Sequence, residues 1–227
     1  GAVLVDEGPP EANVAQQLRS LGVRRLAAVV LTHPQRDHIG GAETVLRRIA
    51  VDRVLDPRLV RSSPYERAAL AEAEKHGVEV VETRARDAFR LGRLRLRVLW
   101  PDRPGTESED PNLLPIVMLA TYGDVDALLT ADAETDVTAR LLSRPVETLK
   151  VAHHGSADAG LESELRELRP EIAVISCGRG NDYGHPRPST IATLRASPGL
   201  SLYRTDEDGR VVVESDGKRI TVRKGGR

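Results

Sequence analysis

The amino-acid sequence predicts one mixed α/β domain over residues 1–227. Short β-rich apolar runs alternate with helical patterns through most of the chain. Turn signals separate them at domain-like rather than solenoid spacing. Five of the six histidines fall in turn-like positions directly after predicted strands, where α/β folds build their sites.

In order, "AVLV" (2–5), "LAAVVL" (26–31), "VDRVL" (51–55), "VEVV" (78–81) and "LRLRVLW" (94–100) read as strands. Residues 11–21 carry Val14, Leu18 and Leu21 on one helical face, closed by Gly22. Residues 63–76 open with Ser63, Pro64 and Glu66, a capping box with proline at the first helical position, and end before Gly77. Leu161, Leu165 and Leu168 mark a further helix stopped by Pro170, and Ser189 is expected to cap the helix carrying Ile191 and Leu194. "PIVMLATYGDVDALLTAD" reads as a hairpin turning at Gly123-Asp124. The C-terminal stretch reads as alternating strands with turns at Asp208-Gly209 and Asp216-Gly217. The loop 101–113, "PDRPGTESEDPNL", is polar and proline-rich and reads as a site loop.

Composition removes several function classes. With 33 basic against 34 acidic residues the formal net charge is −1, so no bulk charge drives binding to nucleic acid or membrane. Apolar runs such as Leu26 to Leu31 are too short to span a bilayer. The opening "GAVLVDEGPP" reads as strand and turn rather than a basic-then-apolar leader, so the chain is expected to be a soluble domain. The single cysteine, Cys177, excludes an internal disulfide and a cysteine-built zinc site, and reads as a buried structural thiol.

The chemistry gathers after strands. His33 and His38 follow 26–31, His153 and His154 follow "ETLKVA", and His185 lies in "NDYGHP"; Asp132 follows "ALLT" and Asp6 follows "AVLV". Taken singly, each has a plain structural role available: a satisfied histidine, a helix N-cap for Asp132, a tight turn for Gly40-Gly41. All of those roles would have to hold independently for residues that share one placement. Imidazoles and carboxylates collected without cysteines are ligands for divalent metals.

The motifs "VLVDEG", "LTHPQRDHIGGA", "LLTADAE", "LKVAHHGS" and "NDYGHPRPST", in this order, resemble those of the metallo-β-lactamase superfamily. The pairing of "KVAHHGS" with "YGHP" and a terminal "YRTDEDGRVVVESDG" is most similar to the C-terminal hydrolase-like domain of ComEC-type DNA-internalisation competence proteins. That resemblance implies a four-layer αββα sandwich with two metals, manganese or zinc, at one edge. It implies that His33 binds the first metal, that Asp37 and His38 bind the second, that Asp132 bridges them, and that His185 is the last ligand of the second. Asp6 would orient the ligands. One of His153 and His154 would complete the first metal, since strand alternation puts the two on opposite faces.

Three departures stand out. The superfamily's usual histidine is replaced by Gln35, a neutral and weaker ligand that would loosen the first metal or favour a harder ion. The separate mid-chain histidine is missing, its place taken by "PNLLPIV", which keeps Asn112. The opening hairpin expected before "VLVDEG" is absent, so the chain reads as starting inside the fold.

Two bridged cations would activate water and clamp an in-line displacement on a phosphodiester. Asp37 would be indispensable. His153 or His154 would protonate the leaving oxygen, Asn112 and Ser156 would steady the phosphate, and Arg36, Arg179 and Arg187 would contact neighbouring phosphates. The resemblance implies DNA as substrate, held by its phosphate backbone. It also implies a parent polytopic membrane protein, with this domain facing the periplasm or exterior. A metal-depleted pseudo-enzyme that only binds or positions DNA, and another phosphoesterase of the same superfamily, are the alternatives.

Overall fold

In this computed structural model, residues 1–60, 62–103 and 108–225 are described. Part of the expected site loop, 104–107, lies outside them. The chain divides into two compact units, Gly1–Gly92 with Val98–Ile116, and Arg93–Arg97 with Val117–Arg227.

The first unit contains β1 (Val3–Val5), α1 (Val14–Ser20), β2 (Arg25–Leu26), β3 (Ala28–Val30), α2 (Arg36–Ile39), α3 (Ala42–Arg48), β4 (Ala50–Val51), β5 (Arg53–Asp56), α4 (Pro64–Lys75), β6 (Glu79–Glu82) and β7 (Ala88–Leu91). β8 (Leu94–Trp100) carries the chain across the boundary between the units. The parallel sheet of the first unit runs β1-β3-β5-β6, with Leu4, Val29, Val54 and Val80 in register. The expected strand 26–31 is split: Leu26 pairs with Val51 in the short β2–β4 ladder, while Ala28–Val30 form the central strand. Val29, Val54, Ala42, Val45 and Ala69 are fully buried and make the core of this unit. α4 starts as expected, with the Ser63 side chain accepting from the Glu66 N–H at 3.2 Å. Leu21, expected on the buried face of α1, instead follows its last turn and is exposed.

The second unit contains β9 (Val117–Tyr122), β10 (Val125–Leu129), α5 (Thr135–Thr138), β11 (Thr148–Lys150), α6 (Leu161–Leu168), β12 (Ile172–Ile175), α7 (Pro188–Ala196), β13 (Ser201–Arg204), α8 (Thr205–Asp208), β14 (Arg210–Ser215) and β15 (Ile220–Gly225). Here the sheet order is β13-β12-β11-β10-β9-β8, parallel from β10 to β13. β9 and β10 form the expected hairpin, with Tyr122 opposite Val125 across Gly123-Asp124. The Asp216-Gly217 hairpin between β14 and β15 also forms. The turn expected at Asp208-Gly209 does not join paired strands: Thr205–Asp208 is a helical turn, and the strand before it belongs to the larger sheet. Ser189 is not the cap of α7. Arg187 occupies that position, and Pro188 takes the first helical place, where a missing N–H costs nothing.

Among the described residues no helix is long and apolar enough to cross a membrane. In each unit the strand C-termini of the parallel stretch carry the polar residues singled out above, as open parallel sheets do at their binding edge.

Candidate metal centre

In the first unit, β1 delivers Asp6 and β3 delivers Thr32 and His33. Asp6 Oδ1 accepts from Thr32 Oγ1 at 2.7 Å, and Oδ2 faces His38 Nδ1 at 2.7 Å. Thr32 Oγ1 also lies 2.9 Å from His33 Nδ1. Because the threonine proton goes to Asp6, His33 Nδ1–H must donate to Thr32. His38 Nδ1–H likewise donates to the carboxylate. Both Nδ1 atoms are therefore engaged by oxygens, which presents Nε2 as the nitrogen a metal ligand uses. The rings are buried and their centroids lie 4.1 Å apart. Burial pushes the Asp6 carboxyl up, but the His38 charge and hydrogen bond, with His33 and Thr32, hold it below the ordinary carboxylate value.

Asp37 and His38 lie on α2, a single helical turn, with Asp37 half-buried. Gly40-Gly41 is the turn that joins α2 to α3, and it does more than turn the chain. Gly41 packs where a Cβ would stand 2.5 Å from the Glu7 carbonyl, so only glycine lets the helix pair sit against the β1 loop.

In the second unit, Asp132 follows β10 and is buried. It does not cap a helix; Glu134 holds the N-cap position of α5. His153 and His154 are not in a strand, which corrects the alternation expected for them. They occupy a tight turn with φ of 45° and 51°, both left-handed, and this turn aims both rings at Asp132. His153 Nε2 lies 3.7 Å from Asp132 Oδ2, and His154 Nε2 lies 3.7 Å from Oδ1. His154 Nδ1–H donates to the Ser176 carbonyl at 2.7 Å, and His153 Nδ1–H to Glu134 Oε1 at 2.9 Å. Nε2 is again the nitrogen each ring would present to a metal. A separation of 3.7 Å is too long for a hydrogen bond, but two metal–ligand bonds of roughly 2.0–2.2 Å span it. This donor set fits a divalent cation.

His185 completes the cluster, its ring centroid 5.5 Å from that of His153 and its Nδ1 buried with no hydrogen-bond partner among the described residues. Burial, then the neighbouring His153 and Arg187, lower its pKa. Asn181 clasps the backbone of His185 from both sides. Gly155, at φ +81°, passes where a Cβ would stand 2.6 Å from Pro186 Cβ, which ties the His153-His154 turn to the His185 loop.

A family model described as the metallo-beta-lactamase superfamily matches residues 1–179. The chain belongs to this superfamily. Among curated proteins it is 31% identical over 198 residues to "ComE operon protein 3" of Bacillus subtilis, covering 86% of this chain and 25% of that protein. It is 30% identical over 202 residues to "Recombination protein 2" of Haemophilus influenzae, covering 88% and 24%. These relatives are ComEC-type competence proteins, and the chain spans about a quarter of their length. Among solved structures, the metallo-beta-lactamase fold protein YhfI of Bacillus subtilis superposes with a TM-score of 0.57 at 14% identity, over 89% of this chain and 83% of that one. Zn²⁺-bound PqqB of Methylobacterium extorquens gives 0.54 at 12%, over 89% and 81%. The fold is thus the metallo-β-lactamase fold, and members of the superfamily bind divalent metals.

Set against the superfamily pattern, Gln35 has an assigned neighbour: its Nε2 donates to Asn112 Oδ1 at 2.7 Å, so the two departures from the pattern form one amide pair. Ser156 Oγ donates to Glu134 Oε1. Arg36 is ion-paired with Glu11 at 2.7 Å, Arg179 donates to the Asp206 carbonyl, and Arg187 is the exposed N-cap residue of α7. Two residues of the site went unnoticed in the sequence: Thr32, which fixes His33, and Glu134, which fixes His153. For Glu134 the signal was its place two residues after Asp132. Cys177 is half-buried. It was expected to be buried outright; even so, burial and the adjacent Asp206 carboxylate push its thiol up to about 12.

Proposed function

We propose that this chain is a binuclear metal-dependent phosphodiesterase acting on DNA, the extracytoplasmic nuclease domain of a ComEC-type competence protein. The whole of residues 1–227 would act as one catalytic domain. His33, Asp37 and His38 from the first unit, with Asp132, His153, His154 and His185 from the second, would hold Mn²⁺ or Zn²⁺. The observation that carries this reading is the set of four histidines whose Nδ1 atoms are each engaged by an oxygen, leaving Nε2 as the ligand atom. Kinship with competence proteins supports DNA as the substrate class.

When bound, the metal pair would supply a nucleophile at neutral pH and neutralise charge on the phosphodiester. The chain's own groups do the rest. Asp6 and Glu134 orient the ligands. The rings of His153 and His154 lie in one turn, and one of them would pass a proton to the leaving oxygen. Ser156 and Asn112 are hydrogen-bonding groups for the phosphate, Asn112 together with its Gln35 partner. Arg36, Arg179 and Arg187 would serve neighbouring phosphates, in competition with the contacts they already make.

The test is a nuclease assay across Mn²⁺ and Zn²⁺ on single- and double-stranded DNA, with metal analysis of the same sample. Two equivalents of metal and cleavage that Asp37→Ala abolishes are expected. Protein that retains no metal and cuts neither substrate overturns the reading. The Gln35–Asn112 pair favours one rival: if the carboxamide is committed to Asn112, the first metal has a ligand fewer, and the domain would only bind or position DNA. DNA binding without turnover at any metal concentration would select that rival.

A further inference from the structure

The loop from Asn181 to Arg187 carries the candidate ligand His185 and, beside it, an aromatic ring that the fold leaves bare. Tyr183 is 64% exposed, whereas Tyr65, Tyr122, Tyr203, Phe89 and Trp100 are all half-buried. Tyr122 and Tyr203 also lie under cations, with Arg93 at 4.8 Å and Lys224 at 5.4 Å from their ring centroids. Tyr183 has no such cover among the described residues. Its ring instead runs parallel to the His185 imidazole, with 8° between the planes and 6.3 Å between the centroids. A planar group laid on Tyr183 is therefore parallel to His185 as well. The same loop supplies a cation. Arg36 is paired with Glu11 and Arg179 is tied to the Asp206 carbonyl, but Arg187 is exposed and carries no ion pair among the described residues. Its Nη1 lies against Gly184, 3.3 Å from where a Cβ would stand. Asn181 fixes the loop in this form. Its Nδ2 donates to the His185 carbonyl at 2.6 Å and to the Gly178 carbonyl at 2.9 Å, while its Oδ1 accepts from the His185 N–H at 3.1 Å. A surface ordered in advance pays little conformational entropy when a ligand arrives.

We infer that this loop is a stacking platform for a single strand: Tyr183 takes the base beside the phosphodiester held at the metal centre, and Arg187 takes a phosphate of the same strand. This rests on the nuclease reading and deepens it by naming the unpaired strand as the substrate. A π-face with a neighbouring cation is the pairing that holds single strands with little regard to sequence, because every base has a face to stack. A base inside a duplex has its faces covered by its neighbours and must leave the stack before it can use the ring. A phosphate compound without a base would engage Arg187 and leave Tyr183 idle.

The experiment follows the fluorescence anisotropy of a labelled oligothymidylate of about 12 nucleotides, within the span of single-strand sites, and of an abasic strand of the same length and charge. The protein is used as purified, and a gel checks that each strand stays intact. Wild type should bind the oligothymidylate about tenfold more tightly than the abasic strand. Tyr183→Ala should lose that factor while its affinity for the abasic strand stays within about twofold, and Tyr183→Phe should retain it. Annealing to oligodeoxyadenylate should remove the effect of Tyr183→Ala. Arg187→Gln should weaken both single strands alike and reduce the salt slope of binding by about 1. Zn²⁺ affinity of Tyr183→Ala, read with a chromophoric chelator, should stay within about twofold of wild type, short of the loss that follows when a ligand's orienting partner is removed.

Equal or undetectable binding of the two strands by wild type overturns the platform, as does a Tyr183→Ala loss that the abasic strand or the duplex shares. A parallel loss of Zn²⁺ affinity also overturns it, since Tyr183 would then only prop His185. Metal-dependent cleavage with no effect of Tyr183→Ala on binding removes the platform and leaves the nuclease reading standing. Tyr183-dependent binding of the oligothymidylate, with no cleavage at any metal concentration, keeps the platform and removes the nuclease reading alone.

Discussion

Replacing Glu134 with alanine should weaken metal binding without unfolding the second unit. Glu134 Oε1 accepts from His153 Nδ1 at 2.9 Å and from Ser156 Oγ, so one carboxylate fixes the tautomer of a ligand and the turn that carries it. The His153 hydrogen bond is the main cause of its lowered pKa, outweighing burial, so the pair forms with the carboxylate ionised. Loss of an orienting partner of this kind costs about 10–100-fold in metal affinity, or roughly 1.4–2.7 kcal/mol at about 1.36 kcal/mol per decade. Glu134→Gln keeps an acceptor oxygen but loses its charge, and should fall between wild type and alanine. Competition for Zn²⁺ against a chromophoric chelator reads the affinity. Long-range ¹H–¹⁵N spectra of the imidazoles read the tautomer, which a merely structural role would leave alone. A dissociation constant within twofold of wild type, with His153 still protonated at Nδ1 in Glu134→Ala, would refute the tautomer reasoning.

Cys177 should react with iodoacetamide about two orders of magnitude more slowly in the folded protein than after unfolding, since its thiol is pushed up to about 12; equal rates would contradict the burial argument. Burial raises the pKa of Glu164, while the Thr138 hydrogen bond opposes the rise. A raised carboxylate pKa means stability that is full below the unfolded value and is lost as pH rises through the folded one. Glu164→Gln should therefore raise Tm at pH 8 and lose that advantage near pH 4; a Tm gain independent of pH would count against it. Gly155→Ala combines a left-handed φ with a Cβ 2.6 Å from Pro186, and should cost about 1–3 kcal/mol in denaturant melts. Gln35→His breaks the amide pair with Asn112 and should raise metal affinity or stoichiometry in the same titration; unchanged binding would show that residue 35 takes no part in the centre.

The fold was legible wherever one physical signal decided an element. β8 matches its predicted limits because its seven residues alternate from Leu94 to Val98 and contain no breaker, and α4 matches because serine, proline and glycine mark both of its ends. Where two signals competed, the sequence was less clear. The apolar run 26–31 looks uniform, yet Ala27 donates its N–H to the Ala2 carbonyl and divides the run between two ladders, a choice made by partners far away in sequence. Asp-Gly at 208–209 carries the same local turn signal as at 216–217. It becomes a hairpin only at the second, because Thr205–Asp208 coils into a helical turn after β13 and β14 takes β15 as its partner.

The candidate ligand residues were legible as residue types but their arrangement was not, and His153 and His154 show why. Read as the end of a strand, they must diverge, and only one can face a metal. Their left-handed backbone cancels the alternation, and Asp132 meets both rings at 3.7 Å. Such a conformation is costly for residues with a Cβ, and it persists here because the chain around it is fixed. Ala131 O accepts from the His153 N–H, the two ring Nδ1 atoms are anchored on Glu134 and Ser176, and glycine follows at 155. None of those anchors is a metal ligand, so a search for ligand types passes over them. The same logic operates in the first unit, where Thr32 relays Asp6 to His33 and leaves Nε2 as the ligand atom. Histidine supplies the metal chemistry, but the oxygen on its other nitrogen decides whether that chemistry is available. Asp6, Thr32, Glu134 and the Ser176 carbonyl are therefore as much a part of the centre as the rings they hold.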